Sequence, residues 1–506
     1  MHIPIMSPGL RNCLQTMLCL LVLSISGQAS AAGYARAQWE QQGWLTHYED
    51  GLQLAHKTGK PLLVYFDAAW CSWCQQYKRE TLDTQQVRTI LQRDFIRVAV
   101  DYDARPDLMR HYEGRGLPYT LILAADAQLL VSYVGVMSSQ DMLAILEKIA
   151  TQTGAQPVKA PAVLIHQADS IDHAAYLAFR KAYLQHLDTL YDPLRQNLSG
   201  QFASGVTQKR TSMLVWMYLM QQNLWTERVH RAARAERLRL WDKHGYGYFN
   251  FVDPARDEYV ETSKLLEVNA WMAAWQAQLG ACDKEAKHRA GQTFRYLREV
   301  LWDQQRGGFY QAQVADNQYY AQSPAKRQHR SAPPVDRAKR TDSNAQAVWA
   351  LLRMYRISGD PQLLAYATNT LAFVMRDMWH DGALYHLWRE GNRSLANHPH
   401  NWFWVLAAGA ELEREQPQRE RKKQLADIAA IAANWLKQRM QNSSGAMLDN
   451  ELAGLIAYVA GQQKFYPEFS HGEFAWAIRQ LRIETETTPD ELVIGMLAWE
   501  KSFQAQ

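Results

Sequence analysis

Two cysteines three positions apart, Cys71 and Cys74, sit just after the apolar run Leu62-Leu63-Val64-Tyr65-Phe66 and open a polar, helix-favouring stretch to about residue 93. A short run rich in β-branched and aromatic residues suits a buried strand. The pair therefore lies at a strand-to-helix turn. Cysteines with this spacing at a helix start share one face and come within disulfide reach. The first occupies the place where unpaired backbone N–H groups and the helix dipole stabilise a thiolate. The second is placed to resolve a mixed disulfide. Cys71 is thus the expected nucleophile and Cys74 the resolving thiol. Half a zinc site is the competing use of such a pair, but it needs a second Cys or His pair nearby, and the closest later histidine, His111, stands alone. A permanently oxidised structural disulfide remains open as an alternative. Trp70 and Trp73 form an aromatic collar, and Trp73 is also placed to touch a substrate.

The flanking segments give the surrounding fold. Helical spacing covers 46–58, ending at Gly59-Lys60-Pro61, and a second strand runs from Ile96 to Val100. Asp107 to Tyr112 reads as a short helix. Leu121-Ile122-Leu123 and Leu130 to Val134 read as a hairpin, and Ser139 to Ala150 as a closing helix. Strand, Cys-x-x-Cys, helix, strand, helix, hairpin, helix is the order of a thioredoxin-like α/β domain, here about 40–152. Pro118 stands where such domains place a cis-proline opposite the disulfide, a bond costly enough to imply a structural purpose.

The whole chain is longer than this domain. At 506 residues it exceeds one ordinary compact domain. Arg11, an apolar run through Leu23 and the small residues Ala29-Ser30-Ala31 have the layout of a secretory signal, residues 1–31, cleaved after Ala31. That run is short for a membrane span, which needs ~20 residues; an uncleaved anchor is the competing reading. The expectation is a periplasmic or secreted protein without stable membrane insertion after cleavage. A chain retaining only Cys71, Cys74 and a solitary Cys282 is not a disulfide-stapled scaffold. A net charge of +4 gives no field for nucleic acid.

After Gly154 the character changes. Residues 153–168, with Pro157 to Pro161, read as a linker, and 169–506 is overwhelmingly helical. A phrase recurs there: an aromatic–acid pair ends a helix, and a glycine turn leads to an aromatic or apolar residue. Leu301-Trp302-Asp303 with Gly307-Gly308-Phe309-Tyr310 is the clearest case. Leu240-Trp241-Asp242 with Gly245 to Tyr248, Leu190-Tyr191-Asp192 with Gly200 to Phe202, and Met378-Trp379-His380 with Gly382 to Tyr385 repeat it. Trp435 with Gly445-Ala446-Met447 is a faint fifth. Helical hairpins at this period suit an all-α (α/α)6 toroid of six hairpins, with the glycine turns lining a cleft at one end. A two-domain bundle is the alternative. Segment 473–483 fits helix or strand. The basic segment 320–341 reads as a solvated loop, or as a flap over the cleft. His398 and His400 share no helical face at their spacing, so no metal is expected.

These motifs resemble a family that fuses a thioredoxin-like domain to a barrel like N-acylglucosamine 2-epimerase, to which the spermatogenesis-associated thioredoxin-like protein of animals and bacterial relatives belong. The resemblance rests on Trp70 to Cys74, on Arg105-Pro106-Asp107-Leu108 with Tyr112, and on Leu117-Pro118-Tyr119-Thr120. In the second half it rests on Lys264, Leu266 and Asn269-Ala270, on Gly307 to Tyr310, on Thr341-Asp342 with Asn344, and on Trp388 to Gly391. It implies a sugar-enzyme ancestry for the barrel. Ser72 and Gln75 replace histidines of the family, which implies a less acidic Cys71. Tyr65 stands where thioredoxin keeps a buried acid. Ser263 and Val268 replace an acid and an aspartate flanking the barrel's Lys and Asn.

Two functional expectations follow. The first is a thiol–disulfide oxidoreductase acting on protein disulfides through Cys71 and Cys74, supported by Trp70, Trp73, Tyr65 and Pro118, with no bound cofactor and the barrel selecting a partner or ligand. The second is a carbohydrate-active or sugar-binding barrel with an accessory thioredoxin-like domain, its cleft residues being Lys264, Asn269, Asp342, Asn344 and Trp402. Asp342 is then the best acid, without an evident partner.

Overall fold

The computed structural model describes residues 31–151, 163–202, 207–254, 256, 258–442 and 447–504. The expected signal segment, most of the expected linker and the glycine turn of the faint fifth repeat lie outside these residues.

In the first domain four strands, β1 (Leu62–Asp67), β2 (Ile96–Asp101), β3 (Tyr119–Leu123) and β4 (Leu129–Val134), form a sheet of order β2-β1-β3-β4. β1 pairs parallel with β2 and antiparallel with β3, and β3 and β4 make the hairpin. Every residue of β1 is buried, as expected of a central strand covered on both faces. Helix Ser72–Tyr77 follows β1 and continues in a wider turn over Lys78–Leu82 before helix Gln85–Asp94. The stretch read as one helix is therefore two. The domain also begins earlier than expected: helix Ala31–Gln41 precedes it, and the buried Trp39 of that helix donates to Asp67 at 3.0 Å.

The second part is a ring of six inner helices, Met213–Gln221, Leu266–Leu279, Thr341–Ser358, Pro399–Glu415, Asn450–Ala460 and Asp490–Gln504, each packed on its neighbours so that the last meets the first. Six outer helices complete the hairpins: His173–Leu190, Thr226–Leu240, Lys284–Tyr296, Pro361–Phe373, Arg419–Gln441 and His471–Gln480. The inner helices read as nearly continuous apolar or small residues because they are covered all round. Segment 473–483 resolves as helix ending at Gln480, then strand Arg482–Glu484, which pairs with Leu164–Gln167. Residues 164–167, read from sequence as linker, thus belong to the barrel. No described helix is long and apolar enough to cross a membrane.

The recurrent phrase is a backbone clasp. Trp241 bridges Tyr248, and Trp302 bridges Phe309. Asp242 and Asp303 each hold a lysine at 2.7 Å, Lys264 and Lys339. Asn269 accepts from Tyr248 N and donates to its carbonyl, and Asn344 treats Phe309 identically, at 2.7 and 3.0 Å in both. Gly247 and Gly308 have positive φ, and a Cβ there would strike Tyr296 and Phe373 respectively, at 2.8 and 2.6 Å. Only glycine serves such turns.

Candidate functional site

Cys71 caps helix Ser72–Tyr77: its Sγ accepts from Cys74 N at 3.1 Å, and the two cysteines are joined in a disulfide with their Cα atoms 5.3 Å apart. The Leu117–Pro118 peptide at the head of β3 is cis. Tyr65 is fully buried and donates to Cys74 O at 2.9 Å. Burial, with Asp67 nearby, holds its phenol protonated well above the ordinary range. Trp70 donates to Asp103 at 2.8 Å. Asp67, near the end of β1, is pushed up to about 6, chiefly by burial, although Trp39 and Ala68 N donate to it.

The cysteine pair does not face solvent: Cys71 is 4% exposed and Cys74 0%. A hairpin of the barrel, strands Phe251–Asp253 and Tyr259–Glu261, packs on the intervening Ser72 and Trp73. Ser72 Oγ donates to the Glu261 carboxylate and lies 3.0 Å from Tyr259 Oη. The Tyr259 ring packs 4.4 Å from that of Trp73, and the Arg256 guanidinium stands 4.3 Å over Trp73 from its other neighbour. Glu261 is held above the usual carboxylate range by burial, against the Ser72 hydrogen bond that lowers it. Spacing could not reveal these three residues: they stand nearly two hundred positions from the cysteines, in an unremarkable polar stretch.

The contact between domains extends along the barrel mouth. Arg340, at the N-terminal end of helix Thr341–Ser358, holds Asp103 at 3.1 Å and Asp342 at 2.6 Å. Arg389 donates to Asp101 at 2.9 Å, and Arg110 donates to Glu451 at 3.2 Å. Asp342 thus has a partner. Burial disfavours its charge, but Arg340 and further cations outweigh this and hold its carboxyl well below the usual range. Behind this layer His386, His398 and His400 are buried together, the last two rings 5.0 Å apart. Burial lowers His386 to about 4. Among the described residues, His386 Nε2, His398 Nδ1, His400 Nδ1 and Trp402 Nε1 have no hydrogen-bond partner. His400, Asp449 and Glu451 bring one potential metal-ligand atom each within 4.8 Å of one another. Arg110 of the other domain holds Glu451 at 3.2 Å, and His400 Nε2 lies 3.2 Å from Asp449.

The five expected cleft residues therefore divide. Lys264, Asn269 and Asn344 are enclosed in the clasps rather than lining an opening. Burial lowers Lys264 to about 8, against its ion pair with Asp242. Asp342 belongs to the mouth, and Trp402 is buried against Trp435 with ring centroids 6.0 Å apart. The basic segment 320–341 is not a solvated loop throughout: Arg327 is buried on Asp242 at 2.8 Å, and Lys339 and Arg340 are buried on their carboxylates, while Lys326, His329 and Arg330 are exposed. Its buried cations each meet an aspartate contributed by another element, a pairing invisible in a linear charge count.

Comparison with known proteins agrees with this architecture. Residues 43–125 match the family described as thioredoxin-like. Anterior gradient protein 3 of Mus musculus is 31% identical over 88 residues, covering 16% of this chain and 53% of that protein. Spermatogenesis-associated protein 20 of Homo sapiens is 26% identical over 93 residues, 17% of this chain and 12% of that protein. The matched region thus spans about half the length of the first relative and far less of the second. Cellobiose 2-epimerase of Spirochaeta thermophila superposes with a TM-score of 0.51 at 14% identity, covering 66% of this chain and 98% of that one. A D-mannose isomerase gives 0.50 at 11% identity, covering 66% and 99%. Such identities establish fold alone. The chain joins a thioredoxin-like domain to an (α/α)6 barrel with the fold of these sugar-isomerising enzymes.

Proposed function

We propose that this protein is an exported thiol–disulfide oxidoreductase whose redox centre, Cys71–Cys74, is gated by its own barrel. The observation that carries the reading is the Cys71 Sγ at a helix start, accepting from Cys74 N at 3.1 Å. After reduction the same N–H groups and helix dipole favour a thiolate at Cys71. That thiolate attacks a protein disulfide, one substrate sulfur leaves as thiolate, and Cys74 attacks the mixed disulfide to restore the internal bond. The balance is one disulfide reduced and one formed. Both cysteines are buried, and Tyr259, Glu261 and Arg256 hold the intervening Ser72 and Trp73, so in this reading the hairpin moves before a partner enters. The signal-like segment supports export. A disulfide-reduction assay on the full chain and its Cys71→Ser variant tests the activity: turnover lost in the variant is expected, and equal, negligible turnover in both contradicts it.

A second reading is favoured by one observation. Behind the mouth of the barrel His386, His398 and Trp402 are buried with ring nitrogens that have no partner among the described residues, donors and acceptors that suit a hydroxyl-rich ligand. In that reading the barrel binds carbohydrate and the thioredoxin-like domain covers its entrance. Loss of glycan binding in Asp342→Ala supports it, and a glycan panel without any binding contradicts it.

A further inference from the structure

The inner helices are parallel. Their N-terminal ends meet the thioredoxin-like domain, and at their C-terminal ends, on the opposite side of the barrel, lies a cavity of about 340 Å³. It is lined by Arg353, Arg356, Lys501, Glu411 and Tyr458, each from the C-terminal half of its helix, and by Trp349 at the middle of its own. The charges are not balanced. The Glu411 carboxylate is fully engaged, holding Arg356 and Arg414 at 2.5 Å each and accepting from Tyr458 Oη. Arg356 also holds Glu415 at 2.6 Å. Among the described residues no side chain or carbonyl is within hydrogen-bond reach of Arg353, and its buried Nε has no partner. Its guanidinium rests 5.9 Å from the Trp349 ring, and the Lys501 ammonium lies 5.7 Å from the Tyr458 ring. Those two rings are 4.8 Å apart, so two cations flank one aromatic pair.

Helix C-termini attract cations, but a cation serving that purpose donates to the last carbonyls. Neither Arg353 nor Lys501 does. The one carboxylate near both, Glu411, is already engaged by Arg356 and Arg414; partly shielding a guanidinium on so little counter-charge is costly, and desolvation lowers the pKa of both Arg353 and Lys501 against the pull of Glu411. The missing element is an anion. Its charged end would accept from the guanidinium fork and the ammonium, and its body would lie against Trp349, Ile494 and Leu497. The volume is at the small end of ligand sites, too small for an oligosaccharide. We propose that the barrel carries, at the end away from the redox domain, a site for a small organic anion with one carboxylate or phosphate on an apolar body.

Calorimetric titration of the full chain with benzoate, phenyl phosphate and uncharged benzyl alcohol tests this. At least one anion is expected to bind saturably with one equivalent, tenfold or more tighter than benzyl alcohol, and the better anion identifies the charged group. Arg353→Met and Lys501→Met should each weaken that binding at least tenfold. Arg353→Met should also melt no lower than the parent, because it removes an uncompensated charge. Saturable binding by neither anion, affinity unchanged in Arg353→Met, or a lower melting temperature in that variant would overturn the proposal. Arg353 lies on the far side of the barrel from Cys71, so this outcome is independent of disulfide turnover.

Discussion

Ser72 stands between Cys71 and Cys74, and the phenol of Tyr65 bonds to the Cys74 carbonyl. The nearby acids are shaped mainly by burial. Asp67, with an ordinary carboxyl value of 3.8, is raised to about 6. Between those values the folded protein holds a proton that the unfolded chain releases, so raising the pH through that window favours the unfolded chain. Wild type should lose stability relative to Asp67→Asn from pH 4 to 6, by up to about 1.4 kcal/mol per unit. Urea midpoints of both chains across this range measure it; a constant difference contradicts it. The cysteines, Tyr65 and Pro118 were legible because their chemistry is local to a strand and the helix after it. Glu261 and Tyr259 were not, because only the closed packing of two domains brings them to Ser72.

The clasps show what a repeated element preserves. Lys264 and Asn269 attract notice as polar residues beside a glycine turn, and in an isolated sequence they look like ligand-binding groups. In the fold they satisfy Asp242 and the backbone of Tyr248, and Lys339 and Asn344 do the same one hairpin later. The aromatic–acid–glycine period was therefore a true reading of architecture, while the use of its polar residues depended on contacts between consecutive hairpins. Segment 473–483 was ambiguous for a related reason: one short stretch holds the end of a helix and, after Leu481, a strand. Lys339 and Asp303 are both buried, so Lys339→Met leaves an unpaired carboxylate and should cost about 3–5 kcal/mol. Joint replacement with Asp303→Asn should recover part of this. Thermal unfolding measures both; a loss in the single variant no larger than for a surface lysine contradicts the clasp.

At the scale of the molecule, each domain closes the other. The thioredoxin-like domain places Asp101, Asp103 and Arg110 on the barrel mouth, and the barrel returns a hairpin onto Ser72 and Trp73. Trp70, Asp103, Arg340 and Asp342 form a continuous hydrogen-bonded line from the Cys71–Cys74 turn to the barrel mouth. Two fold classes in series could be recognised from periodicity, but face-to-face docking could not, since charge partners such as Arg340 and Asp103 are separated by 237 positions. On the proposed function, Cys71–Cys74 is exchange-competent and held shut by this docking. The rate at which a small dithiol reduces the bond in the folded wild-type chain and in Tyr259→Ala/Glu261→Ala, monitored by alkylation of the freed Cys71, tests this. Reduction should be slow in wild type and at least tenfold faster in the double variant, with both chains still folded. Equal rates in the two, or a bond that yields only on unfolding, would contradict it.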